Sequence, residues 1–457
     1  MEKTKSQKIG IDLTEGSILK ALLLFAFPIV LTNLVQQLYS TVDLIIIGQF
    51  AGNTGTVGVS TGGELIDLMT PIASSFAIAG QIYIAQLYGA KDHQNLKNAI
   101  GTLLTLLLCL SAFFTVIILV FYRQFLSLLN CPSEAFSEAS KYMLITAAGI
   151  PFVFAYNGIC SILRGFGESK RPLLFIVVAA TINIFLDLLL VVCFHMGASG
   201  TAVATVASQI GASAAAFIYM YRHRHHFEFK LDIKTFRIKK QALKVILSLG
   251  IPQLVRVFSV QFSMLWVKSN INAYGMLAST TYSVGNKVEK FMNVFVQGID
   301  GAAGAMIGQN LGARKHQRVV RIVKTTLICS LSIACIISCL FLFIPKSLYG
   351  IFTTDPGVIE YGVVFLRIMS IACIISAVSI SFKAVATGSG AAGLCLVIGV
   401  MDGICRILIC MFFSFFFHSG ATDFFWGAAF CQLIPGLIGL FYFAGGKWKT
   451  KKLLSEG

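Results

Sequence analysis

The sequence predicts an all-α integral membrane protein of twelve transmembrane helices in two six-helix bundles, related by a pseudo-two-fold axis along the membrane normal. Three observations carry the prediction. Of 457 residues, 56% are hydrophobic and only 12% charged, and the mean hydropathy is +0.81; a soluble chain carries about twice that charge. Several runs of roughly twenty or more residues, long enough to cross a bilayer as a helix, are nearly free of charge, whereas the alternating segments of roughly ten residues that a barrel needs are absent. Finally, the second half of the chain repeats the first.

Span 1 (17–49) follows the polar stretch MEKTKSQKIGIDLTEGS. The apolar run after it is too long for the core of a signal peptide, so no cleavable leader is expected. Pro28 interrupts this span and frees a carbonyl one turn earlier, which predicts a kink or a hinge. Span 2 (57–88) carries Glu64 and Asp67 in GGELIDLM near its outer end, where a solvated mouth is the simplest role. Spans 3 (95–122) and 4 (134–163) are followed by span 5 (171–195), which holds TINIFLDLLLV with Asp187 in it, and by span 6 (199–222).

The polar stretch RHRHHFEFKLDIKTFRIKK (222–240) reads as the linker between halves, so the expected division is 1–222, 223–240 and 241–457. Its histidines are better explained by a basic loop near anionic lipid than by a metal tract. Span 7 (241–272) carries Pro252. Spans 8 (277–310), 9 (316–344), 10 (357–386), 11 (391–417) and 12 (422–445) complete the set.

Basic residues collect in alternate loops: Lys3, Lys5 and Lys8; Lys91 and Lys97; Arg164, Lys170 and Arg171; the linker; Arg314 to Lys324; and Lys447 to Lys452. The opposite side has little beyond Arg123 and Lys346. The positive-inside rule therefore places both termini in the cytoplasm, and the expected location is the plasma (inner) membrane. It also explains the net charge of +16 without a nucleic-acid partner. The 12 cysteines lie mostly in apolar runs and form no paired metal motif, so they read as small packing residues and no metal site is expected.

The internal repeat is specific. AQLYGAKDHQ (85–94) and GQNLGARKHQ (308–317) share five of ten positions, and Lys91 is matched by Arg314. LKALLLFAFPIV (19–30) aligns with LKVILSLGIPQL (243–254), so Pro28 matches Pro252. Six spans per half give both halves the same orientation. Duplicated transporters of this kind hold their cargo between the halves, although a duplicated channel subunit has the same pattern.

An ionised acid in a membrane core costs about 2.5 to 3.5 kcal/mol on insertion scales, so Asp187 needs a partner or a task. Asn183 is one turn before it on the same face. Counting at 1.5 Å per residue from the turn near Gly197–Gly200, Asp187 and Thr205 both lie roughly 12–15 Å below the outer end. Asp43 reaches a similar depth in span 1. Two carboxylates, an amide and a hydroxyl at one level suit H⁺ or Na⁺, and the residue types do not choose between them. Two acids that face each other out of water favour retention of a proton. The structural alternative is a salt bridge from Asp187 to Arg256, Lys268, Lys383 or Arg406. Asn183 and Thr205 taken alone would suit interhelical packing equally well.

The paired prolines of spans 1 and 7, the ends IAQLYGA and IGQNLGA, the loop LRGFGESKRP (163–172) and the entry GASGTAVAT (197–205) together resemble the multidrug and toxic compound extrusion family over nearly the whole chain. The resemblance implies a cation-coupled antiporter that exports small amphipathic organic compounds by alternating access. A flippase for lipid-linked precursors, from the same superfamily, is the alternative. The resemblance also implies a cation-coupling site at Asp43, Asn183, Asp187 and Thr205, with Asn157 in the same cavity. The second acidic site that some members have on spans 7 and 10 finds no acids in the corresponding apolar bodies here.

On this view Pro28 and Pro252 are conformational, and Glu64, Asp67, Arg256 and Lys383 approach the substrate. Asp300 and Asp402 are expected to neutralise Arg256 and Arg406 between helices. Glu289, Lys287 and Lys290 should find partners on other helices. The second half has more buried bases than acids, which favours anionic or zwitterionic compounds beside organic cations. The many aromatics (38 Phe, 13 Tyr) suit an adaptable cavity, although most should pack helices or face lipid. Expected partners are small organic substrates and membrane lipids. A single copy, a monomer, supplies the pathway. No cofactor beyond H⁺ or Na⁺ is expected, and no nucleotide loop or nucleophile motif points to an enzyme.

Overall fold

The computed structural model describes residues 11–50, 52–227 and 236–450. Lys3, Lys5, Lys8, the linker positions 228–235, and Lys451 and Lys452 lie outside the described residues. Every expected span is a helix, and no strand occurs among the described residues. With no water in a bilayer core, a helix satisfies its own backbone polar groups, which is why apolar length alone is so informative here.

The first half comprises α1 (Ile18–Phe50), α2 (Gly52–Asp67), α3 (Met69–Ala90), α4 (His93–Leu128), α5 (Phe136–Gly165), α6 (Lys170–Asp187) and α7 (Gly197–Arg222). The second comprises α8 (Lys240–Asn272), α9 (Met276–Gly312), α10 (His316–Phe343), the short α11 (Pro345–Gly350), α12 (Pro356–Gly388), α13 (Ala392–Phe417), α14 (Ala421–Phe430), α15 (Leu433–Ala444) and the single turn α16 (Lys447–Thr450). Eleven helical stretches among the described residues are apolar and long enough to cross a membrane. The twelfth expected span is α9, a 37-residue helix made more polar by Lys287, Glu289, Lys290 and Asp300.

Three expected helices are interrupted. Span 2 divides into α2 and α3 because Pro71 has no N–H for the Asp67 carbonyl. Span 12 divides into α14 and α15 because Pro435 does the same to Cys431. At Leu68 and Gln432 the dihedrals stay helical, so each break loses hydrogen bonding without forming a loop. Span 5 changes from α to π winding immediately after Asp187, over Leu188–Cys193.

By contact the chain forms two units. Leu31–Gly250, with Ile11, makes unit 1, and Asp12–Val30 with Ile251 onward makes unit 2. The crossings inside helices fall within three residues of a proline, Pro28 in α1 and Pro252 in α8. In unit 1, α5 packs against α2, α3, α4 and α7; in unit 2, α12 packs against α9, α10, α14 and α15. The hub is the fourth membrane span of each half.

The repeat is also visible in backbone detail. Lys91 and Arg314 both adopt left-handed φ, 58° and 57°. Each closes its helix with the same pair of hydrogen bonds: Lys91 N to Tyr88 O and Asp92 N to Leu87 O, against Arg314 N to Leu311 O and Lys315 N to Asn310 O. This is the left-handed helix stop that glycine usually supplies. In unit 2, the stretch before α1 is held by side chains around that stop: Asn310 donates to Leu13 O (2.9 Å), Lys315 to Thr14 O (3.0 Å), and Arg318 to Glu15 O and Gly16 O (2.6 and 2.9 Å). In unit 1, the stretch before α8 is held by α4, where the Thr105 hydroxyl donates to Phe236 O (2.7 Å) and Thr102 accepts from Lys239 N (3.1 Å).

Candidate functional site

In unit 1, α1 and α6 bring the carboxyl groups of Asp43 and Asp187 within interacting range of each other. Asp187 is 1% exposed and Asn183, on the same face of α6, is 2% exposed. Four of their buried oxygens have no hydrogen-bond partner among the described residues: Asp43 Oδ1, Asn183 Oδ1 and both carboxylate oxygens of Asp187. Two ionised carboxylates are acceptors only. A contact between them lacks a donor until one proton sits between them or a cation binds both. Burying these oxygens unpaired is costly, so the arrangement is built for a positive guest.

Thr205 of α7 reaches this level through Tyr142 of α5, whose hydroxyl is within hydrogen-bonding range of it. Tyr142 lies in the electrostatic range of Asp43, Asp67 and Asp187. Its ring joins Ile47, Val59, Ala198 and Ala202 in an apolar cluster, so it separates the acids from that packing. Tyr39, one turn before Asp43, faces Asp43 and Asp67. Asp67 ends α2 at the proline break and is exposed, as is Glu64. Asn157 is occupied elsewhere: its amide donates to Val153 O (2.8 Å) and accepts from Ser74 Oγ (3.2 Å), tying α5 to α3. Neither tyrosine stands out in the sequence, because a tyrosine in an apolar helix is an ordinary packing residue.

Unit 2 holds a second polar cluster. Asp402 of α13 is 3.4 Å from Lys383 of α12 and 3.5 Å from Arg406, one turn along its own helix. The Asp402–Arg406 pair is therefore within α13 rather than between helices, and it is Lys383 that carries the charge across to α12. Gln432, at the α14–α15 break, donates from Nε2 to Asp402 Oδ2 (2.7 Å) and accepts from Lys383 Nζ. Asp300 of α9 lies in the electrostatic range of Arg256 and Lys383, and Glu289 of α9 in that of Arg406. Glu289 also accepts from Asn293 (3.2 Å) on its own helix.

The expected excess of buried bases is corrected by this pairing. Arg256, Lys383 and Arg406 are matched by Asp300, Asp402 and Glu289, whereas Lys268, Lys287 and Lys290 are exposed. Gly399 makes room for this arrangement: a Cβ there would lie 2.1 Å from Arg256 Cγ, and one at Gly403 would lie 2.7 Å from Ser259 O. Small residues one turn apart let α13 approach α8 closely. Tyr282, Phe365 and Phe425 pack in the core of unit 2.

A family model described as MatE matches residues 28–189 and 252–412, one copy in each half. Over 450 residues the chain is 26% identical to the probable multidrug resistance protein YpnP of Bacillus subtilis, covering 97% of this chain and 99% of that one. It is 22% identical over 427 residues to the multidrug export protein MepA of Staphylococcus haemolyticus, covering 93% of each. Its fold is similar to a solved transporter of the MOP superfamily from Pyrococcus furiosus, with TM-score 0.90 and 19% identity over 99% of this chain and 100% of that one.

Proposed function

The chain belongs to the MatE family, and we propose that it is a cation-coupled antiporter that exports small amphipathic organic compounds across the plasma membrane by alternating access. The observation that carries this reading is the facing pair Asp43 and Asp187, with its unpartnered buried oxygens. H⁺ or Na⁺ enters from the side of higher electrochemical potential and neutralises the repulsion between the carboxylates. Asn183 adds a third oxygen, while Thr205 and Tyr142 supply hydroxyls at the edge. The relatives named for multidrug resistance and export support the substrate class.

Loading draws α1 toward α6 at Asp43. Pro28, which leaves the Leu24 carbonyl without its helical donor, lets the two stretches of α1 respond separately; Pro252 does the same in α8. Cation and cargo favour different states of the assembly, so the cation gradient drives export. The protein acts as a monomer with both termini in the cytoplasm, surrounded by lipid. Purified protein in vesicles tests this: a cationic dye should leave against its gradient when an inward H⁺ or Na⁺ gradient is imposed. Asp43→Asn and Asp187→Asn should each abolish that dependence. A dye flux with the same ion dependence in either variant would refute the reading.

A further inference from the structure

In the connections on the side away from the basic loops, Arg123 and Lys346 are the only arginine and lysine. They occupy equivalent places in the two halves: the register that aligns Lys91 with Arg314 also aligns Arg123 with Lys346.

The same register aligns the backbone and the surface around them. α4 leaves helical dihedrals at Phe121 (φ −107°, ψ 15°), and α10 stops at the counterpart of that residue, Ile344 (φ −127°, ψ 36°). The base follows two residues later, on the last turns of α4 in unit 1 and on α11 in unit 2. Phe113, Val116 and Val120 precede Arg123 as an exposed stripe, spaced three and four residues apart on one helix face. Ile336, Cys339 and Phe343, also exposed, precede Lys346 at the same spacing. Past the base, exposed Leu128 matches exposed Ile351. A greasy helix face toward lipid is ordinary. A break, an apolar stripe and a lone base in one register of both halves are not.

In unit 1 the stripe leads to an open groove of about 740 Å³, lined by Arg123, Gln124, Ser127, Leu128 and Asn130. Arg123 Nε donates to Tyr122 Oη (2.9 Å), and the guanidinium lies 5.6 Å from the centroid of that ring. Tyr122 thereby holds the guanidinium, while Nη1 and Nη2 have no protein partner among the described residues. A guanidinium edge with two parallel donors takes phosphate oxygens in pairs. The Ser127 hydroxyl and the amides of Gln124 and Asn130 offer further bonds to oxygen-rich groups. No acid lines the groove, so an ammonium finds no counter-charge there. A headgroup that ends in hydroxyls does find partners. The apolar stripe lies on the membrane side of the base, where acyl chains run.

We propose that the groove at the outer end of α4 binds the headgroup of an anionic phospholipid, the Arg123 guanidinium taking its phosphate and the Phe113–Val116–Val120 stripe lying along an acyl chain. Lys346 marks the equivalent place in unit 2. There a lysine point charge replaces the fork, and Gly350 stands in the register of Ser127, so the selectivity is weaker. The site is separate from the Asp43–Asp187 pair and does not depend on ion-coupled export.

The test places the full chain in phosphatidylcholine vesicles that hold a small fraction of a photoactivatable lipid. The probe is either phosphatidylglycerol or phosphatidylcholine, each with a diazirine in the acyl chain. Labelled peptides are mapped by mass spectrometry. Residues 113–130 should take the phosphatidylglycerol probe about fivefold more than the phosphatidylcholine probe, the effect of one base at a membrane surface. Residues 336–351 should show a smaller preference. Arg123→Gln should bring the ratio at 113–130 close to one and leave that at 336–351 unchanged, which also shows that the variant is folded. Arg123→Lys, which keeps the charge but not the fork, should retain part of the preference.

Equal labelling of 113–130 by the two probes in the unaltered protein would overturn the proposal, because bulk lipid contact alone gives that result. So would an Arg123→Gln variant that keeps the preference, or one that changes both segments by a common factor, the mark of a general change in fold.

Discussion

At the residue scale the decisive feature is a shortage of donors. Asp43 and Asp187 bring oxygens together, and ionised carboxylates have no donor to offer each other. Replacing one with asparagine supplies that hydrogen: the side-chain amide introduced by Asp187→Asn would donate to Asp43. A buried acceptor left unsatisfied costs about 1–3 kcal/mol. The variant should therefore unfold at or above the temperature of the unaltered protein in a detergent melt, while ion-driven efflux falls at least about tenfold, the loss of one favourable contact to the ion. A melt clearly below that of the unaltered protein would mean that the pair is already satisfied. Asp43 and Asp187 were legible in the sequence because an acid in an apolar helix has few structural excuses. Tyr142 and Tyr39 were not, since a tyrosine satisfies itself in many settings. Asn157 bonds Ser74 and Val153, which ties α5 to α3.

At the element scale prolines and glycines set what each helix can do. Pro28 and Pro252 fall where α1 and α8 pass from one unit to the other. Pro28→Ala restores the donor to the Leu24 carbonyl and should stiffen α1, so efflux should slow severalfold while dye affinity stays within about twofold, well under the 1.4 kcal/mol of a tenfold change. Parallel loss of affinity and rate would argue against a hinge. Of the glycines of α13, Gly399 leaves the least room for a side chain, and Gly399→Val should lower stability by about 1–3 kcal/mol through overpacking against Arg256, read as a lower melting temperature. An unchanged melt would show that α8 yields freely. Apolar length marked most of the spans, because length and apolarity are local properties; α9 is the more polar exception. The α2–α3 and α14–α15 breaks were signalled only by Pro71 and Pro435. The π winding after Asp187 has no local sequence signal, since it depends on how neighbouring helices pack.

At the scale of the whole molecule the duplication organises everything else. The repeated loop produces the same left-handed stop in both halves, and the same fourth span becomes the hub. Chemistry then diverges between the copies. Unit 1 keeps two acids facing each other with no base on them among the described residues, whereas unit 2 balances acid against base from Arg256 to Glu289. Sequence counting alone overstated the positive charge of unit 2, because it does not separate exposed lysines from interior ones. The fold was largely readable from one sequence; the pairing of charges was not, because it depends on which helix faces meet.

The most direct measurement is efflux of a cationic dye from vesicles containing the full chain, under an imposed inward gradient of H⁺ and then of Na⁺, beside the Asp187→Asn variant. The account predicts uphill efflux driven by at least one of these gradients and lost in the variant. Efflux indifferent to both gradients, or equally ion-driven in Asp187→Asn, would contradict it.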